Sequence, residues 1–114
     1  MVLLKTKESY KYWLAIERNF PKVERLGIGN KIDTVFLELL EIMFNSIYVS
    51  PVEKIGLLSK AISKHDSLKF FIQLAWENKL IHTDKYAELS LKLEEIGRML
   101  GGWKRGLQTK LPPK

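Results

Sequence analysis

The sequence predicts an all-α chain, folded as an antiparallel up-down four-helix bundle. Three observations carry this. Apolar residues recur at the 3.6-residue period almost throughout, and no long alternating stretch reads as a strand. The last third holds a strict heptad seam of Tyr86, Leu89, Leu93, Ile96, Leu100, Trp103 and Leu107, in steps of 3 and 4, which suits helices crossing at a shallow angle. The 114 residues fit one domain that can bury a core without a disulfide.

The first helix is predicted over about 5–19. Trp13, Ile16 and Phe20 recur at steps of 3 and 4, with Tyr10 a turn earlier, and Pro21 ends it because proline disfavours helical geometry in the preceding residue. A loop from Pro21 to Gly27 follows. The second helix is predicted over about 29–47, on a wide stripe of Ile28, Ile32, Val35, Phe36, Leu39, Ile42, Met43 and Ile47. The segment from Ile47 to Ser50 is β-prone, but a lone short strand has nothing to pair with.

Ser50-Pro51-Val52-Glu53 is the clearest boundary. Ser50 suits the N-cap, Pro51 the first helical position, and Glu53 completes a capping box. The third helix then runs to about 79, with Ile55, Leu58, Ile62, His65, Leu68, Ile72, Ala75 and Trp76 on one stripe. Thr83 is the expected N-cap of the fourth, over about 83–103. The bundle thus occupies 1–107, and 108–114 is expected to be a flexible basic tail. Leu37, Phe44, Leu57 and Phe71 widen the apolar faces beyond one seam. A helix apolar on two faces needs a second partner, so self-association is expected.

The net charge of +6 is unevenly placed. Residues 1–31 carry +4 and residues 96–114 carry +5, with acidic stretches at 32–50 and 81–95. Clustered positive charge is the footprint of a polyanion partner. Other chemistries find no residues. With no Cys there is no thiolate nucleophile or zinc ribbon, and a reducing, cytoplasmic setting fits. No apolar run is long enough to span a membrane, and the N-terminus is charged too early for a signal peptide. Neither His65 nor His82 sits in a Glu-x-x-His pair, so a di-metal carboxylate site is not expected. Gly27-Ile28-Gly29 lacks the third glycine and preceding strand of a nucleotide cradle. Glu94 and Glu95 lie about 100° apart on a helix and cannot converge. The expectation is therefore no enzyme, no cofactor, no metal and no small-molecule substrate. His65 reads as a packing histidine on an apolar stripe.

Gly97, Gly101 and Gly102 lie within six residues on the heptad helix. Each costs about 1 kcal/mol against alanine. Either Gly97-x-x-x-Gly101 admits a close helix, or the helix loosens before Trp103. Arg98 and Arg105 share this face, which could receive an acidic helix or a phosphate backbone.

These residues also carry a family resemblance. Phe20-Pro-Lys-Val-Glu-Arg25, Gly29-Asn-Lys-Ile32 and Leu37-Glu-Leu-Leu-Glu41 resemble the first half of the Avd family, the accessory variability determinants of diversity-generating retroelements and their stand-alone relatives. Leu68-Lys-Phe-Phe-Ile-Gln-Leu-Ala-Trp76, Lys79-Leu-Ile-His-Thr83, Tyr86 and Glu95-Ile-Gly-Arg-Met-Leu-Gly-Gly-Trp103 resemble the second half. The match covers about 10–105. It implies a non-enzymatic four-helix bundle, assembled as a homopentamer, that binds a reverse transcriptase and its template-repeat RNA, or DNA or an RNA–DNA hybrid. Lys69 and Arg98 fall where the family tends to be basic, while Gln73 stands where some members carry Arg. The resemblance also implies a structural role for Trp103 and the three glycines.

The expected nucleic-acid and reverse-transcriptase contacts are therefore Lys69, Arg98, Lys104 and Arg105, then Lys22, Arg25 and Lys64. Gly97, Gly101, Gly102, Trp103 and Trp76 are the expected packing and oligomer residues. Two rivals stand beside this reading. One is a stand-alone bundle serving as an interaction module. The other is a HEPN-like ribonuclease, with Lys60 and His65 in place of that group's Arg and His.

Overall fold

A computed structural model describes residues 1–111 of the chain. It contains α1 (Val2–Glu17), a single helical turn α2 (Lys22–Glu24), a π-helical turn (Arg25–Gly29), α3 (Asn30–Ser46), α4 (Pro51–Glu77) and α5 (Thr83–Lys110). No strand occurs among the described residues. α1 packs on α3 and α5, and α4 packs on the same two from the other side. The four long helices thus close around one core, in a body of 51 × 23 × 21 Å. The start of α1, the end of α3, the start of α4 and the last third of α5 meet at one end, so the helices run up, down, up and down.

The seam residues form that core. Leu89, Leu93, Ile96 and Leu100 of α5 are buried against Leu58, Leu68 and Ile72 of α4, Ile32, Phe36 and Leu39 of α3, and Trp13 of α1. Tyr86, Trp103 and Leu107, at the ends of the seam, are half-buried. Ile47, expected on the second stripe, is instead exposed just past the end of α3.

Several boundaries differ from those expected. α1 begins at Val2 rather than near 5. Its inner face is Val2, Thr6, Ser9, Trp13 and Ile16, in steps of 4 and 3. Two of these are hydroxyl residues, so no apolar stripe announces the first turns. Each hydroxyl is satisfied within the helix. Thr6 Oγ1 donates to the Val2 carbonyl at 2.8 Å, and Ser9 Oγ to the Lys5 carbonyl at 3.0 Å. Buried polar groups bonded in this way cost little.

The expected loop from Pro21 to Gly27 is helical. Pro21 is the extended N-cap of α2, which starts at Lys22, and the π turn leads directly into α3. Space explains the glycine at its end. A Cβ on Gly29 would lie 2.7 Å from Glu17 Oε2 and 3.2 Å from the Glu24 carbonyl oxygen. Above it, Trp13 Nε1–H donates to Asp33 Oδ1 at 2.7 Å, tying α1 to α3.

Ser50 caps α4 through a bond from the Glu53 N–H at 3.3 Å, with Pro51 in the first turn. α4 ends in a Schellman arrangement, in which Leu80 N–H bonds the Ala75 carbonyl and Lys79 N–H the Trp76 carbonyl. Lys79 takes the left-handed conformation there, at φ 62°. His82, not Thr83, is the N-cap of α5. Thr83 is turned to Trp76, whose Nε1–H donates to its Oγ1 at 3.2 Å.

α5 does not stop near Trp103 but runs to Lys110, so residues 108–110 of the expected tail are helical. Half-burial of Trp103 and Leu107 anchors the extension, and Lys110 complements the negative end of the helix dipole. Residues 112–114 of that tail lie outside the described residues. Along the other edge of α5, Tyr12 Oη–H donates to Glu88 Oε2 at 2.6 Å, and Lys5 pairs with Glu95 at 3.2 Å.

Candidate nucleic-acid interface

Two helices define the site. α4 and α5 run antiparallel with little between them, because Gly97 stands opposite His65. A Cβ on Gly97 would lie 2.7 Å from His65 Cε1, so glycine is the residue that lets the imidazole reach α5. The ring is 4% exposed. Its Nε2 is 2.6 Å from the Leu93 carbonyl oxygen. A carbonyl only accepts, so Nε2 carries the proton. Burial pushes the His65 pKa below its ordinary value and the nearby Lys69 charge adds to this, against the Leu93 bond and Asp66. The ring is therefore uncharged at neutral pH.

Above the His65–Gly97 contact the helices part into an open groove of about 410 Å³. Its walls include Ile62, Asp66 and Lys69 from α4, and Glu94, Arg98 and Gly101 from α5. Helical spacing brings them together. Asp66 and Lys69 are one turn apart, as are Glu94 and Arg98. Arg105 joins from below, with Nη1 3.7 Å from the position a Gly101 Cβ would take. The groove therefore gathers two of the expected basic residues (Lys69, Arg98) and two of the expected glycines (Gly97, Gly101), with Arg105 beside Gly101 at its edge.

The other expected contacts lie elsewhere. Lys64 faces α3, where its Nζ is 3.3 Å from Glu38 Oε2. Lys22 and Arg25 are exposed on the α1–α3 connection. Lys104 is half-buried at the α5 extension. Gly102 is exposed, with nothing within 4 Å of its position, so it relieves no contact inside the subunit. Trp76 stacks on Tyr86 with centroids 4.5 Å apart and planes 6° apart, which locks the α4–α5 turn. Trp103 lines an apolar cavity of about 350 Å³ at the open end of the bundle, with Lys54 Nζ 5.8 Å from its ring centroid. Lys60 is exposed and five residues from His65, about 140° around the helix, and it does not line the groove.

The sequence reading missed the acceptors Asp66 and Glu94. Their spacing, i−3 from Lys69 and i−4 from Arg98, was the available pointer. It also missed Glu17, buried beside Asp33 and Gly29. Burial, the adjacent Asp33 carboxyl and its charge push the Glu17 pKa up to about 7, and Arg25 pulls it back only in part. Among the described residues no three His, Asp or Glu side chains converge as metal ligands would. No helix there is long and apolar enough to cross a membrane.

The decisive comparison is with protein families. The model of the family described as bAvd-like matches residues 1–107. The chain belongs to the bAvd-like family. The match spans all four long helices of the bundle up to Leu107, including the whole α4–α5 groove. No curated protein matches the chain. For a bAvd-like protein the arrangement has a plain chemical meaning: two exposed cations, Lys69 and Arg98, set beside carboxylate acceptors on one helix pair.

Proposed function

We propose that this bAvd-like protein is a non-enzymatic accessory factor of a diversity-generating retroelement, acting in the cytoplasm. It binds the element's reverse transcriptase and template-repeat RNA through basic surfaces, as a homo-oligomer with a pentamer as the expected state. The observation that carries the reading is the convergence of Lys69 and Arg98 on one groove, with Arg105 beside Gly101 at its edge. Phosphates are held there by charge and by the guanidinium forks. A ring multiplies the +6 of one subunit by the number of copies, raising avidity without reading bases. The exposed Leu37 and Phe44 of α3, each 51% accessible, suit the contact between copies.

The test is titration of template-repeat RNA over a range of salt. Affinity should fall steeply with salt, and Lys69→Glu with Arg98→Glu should weaken binding and flatten the salt slope by roughly one per lost phosphate contact. Unchanged affinity from low to high salt would refute the electrostatic mechanism. The stand-alone interaction module is supported by Asp66 and Glu94, which offset part of the groove's charge. A reverse-transcriptase gene and a repeat beside this one would decide between the two.

A further inference from the structure

We propose that the α4–α5 groove selects ribose over deoxyribose, with His65 Nδ1 as the acceptor of a 2′-hydroxyl. The inference rests on the nucleic-acid reading above and adds the choice of sugar.

Three observations converge. The first is the tautomer. Nε2–H is committed to the Leu93 carbonyl, so Nδ1 holds a bare lone pair. Nδ1 makes no hydrogen bond to another described residue of the subunit: Asp66 Oδ1, at 3.9 Å, is itself an acceptor and beyond hydrogen-bond range, and the cations of Lys69 and Arg98 share the groove without bonding it. Among the described residues no enclosed side-chain nitrogen or oxygen lacks a partner. Nδ1 therefore opens on the groove, which His65 lines.

The second is rigidity. The ring is clamped against Gly97 and bonded at its far nitrogen, so the acceptor is held in one place before any ligand arrives. Preorganised groups lose little freedom on binding.

The third is the mixture of charges. Asp66, Glu94 and His65 supply acceptors, and Lys69 and Arg98 supply cations, within one groove. A phosphate alone satisfies only the cations and is repelled by the carboxylates. A ribose-phosphate backbone offers an anion and a hydroxyl donor at every residue. A deoxyribose backbone lacks that donor and would leave His65 Nδ1 unpaired as it covers it, which is unfavourable.

The experiment is fluorescence anisotropy on the full-length protein with one single-stranded sequence made as RNA, as DNA and as 2′-O-methyl RNA. The methyl ether keeps the phosphates and removes the hydroxyl donor. RNA should bind roughly three- to ten-fold more tightly than either analogue for each sugar recognised. His65→Gln keeps an amide N–H for the Leu93 carbonyl but has no acceptor at the Nδ1 position. It should bring the RNA:DNA ratio toward one by weakening RNA alone. If that variant loses its helical circular dichroism, the methyl-ether comparison on the unaltered protein decides the matter. Equal affinity for all three strands would overturn the sugar choice while leaving nucleic-acid binding in place. Binding to none of them would overturn both.

Discussion

Replacing Gly97 by alanine sets two opposed effects against each other, and the structure says which wins. On an isolated helix the change stabilises by about 1 kcal/mol. Here the new Cβ would lie 2.7 Å from His65 Cε1, about 1 Å inside ordinary carbon–carbon contact. The ring cannot simply retreat, because it is buried and bonded to the Leu93 carbonyl. Shifting it strains the packing and loses that bond, at a net cost of about 1–3 kcal/mol after the propensity gain. With His65→Ala already in place the obstacle is gone, and Gly97→Ala should then stabilise by about 1 kcal/mol. The coupling between the two sites is thus about 2–4 kcal/mol, readable from a double-mutant cycle. Urea unfolding followed by far-ultraviolet circular dichroism, at one protein concentration, measures all four proteins. A stabilising Gly97→Ala in the unaltered background, or one sign in both backgrounds, would refute the account of the α4–α5 contact.

Gly102→Ala meets nothing within 4 Å on an exposed helical face, so the urea midpoint should rise by the equivalent of about 1 kcal/mol. Lys79→Gly relieves a left-handed residue at the end of α4 and should add about 0.5–1 kcal/mol in the same assay. For Glu17 the folded pKa is raised from 4.5 to about 7, so the folded state holds the proton more tightly than the unfolded chain. Its contribution is full below about pH 4.5 and is lost as pH rises through about 7. Thermal midpoints should accordingly fall across that interval, and Glu17→Gln should flatten the fall; an unchanged slope would remove Glu17 as the cause. Leu37→Lys with Phe44→Lys should shift the mass seen by light scattering to smaller species, with helicity retained. An unchanged mass would move the subunit contact off this face.

Much of the bundle is legible in the residue pattern because large apolar side chains mark their own burial. The seam from Leu89 to Leu100 and the Ser50-Pro51 start are of this kind: period and cap chemistry are local properties. The first turns of α1 were hidden because Thr6 and Ser9 satisfy their hydroxyls on the helix itself and pack as small residues. The π turn was hidden because Pro21 and two glycines read as a break, while the space that selects Gly29 belongs to Glu17, twelve residues away. The groove divides in the same way. Lys69 stands out through the family resemblance, and Arg98 through that and its place on the glycine face, but the opposing His65–Gly97 contact, which brings their helices together, depends on the register between α4 and α5. Gly101 and Gly102 looked alike in the sequence. Only the fold separates one that lies under Arg105 from one that faces open space.

The closure of the helices into a ring also sets an order of assembly. α3 and α4 are neighbours in sequence and in space, so their pairing needs only a short turn. α1 is different: the Tyr12–Glu88 bond joins residues 76 apart, and closing so long a loop is slow. During synthesis α1 emerges first, yet one of its two packing partners, α5, emerges last. Until then its Trp13 and Ile16 have only α3 to cover them, leaving an apolar edge open to other nascent chains. A ribosome stalled before α5 would therefore leave a three-helix intermediate that is adhesive by construction. The final helix both completes the groove and ends that vulnerability.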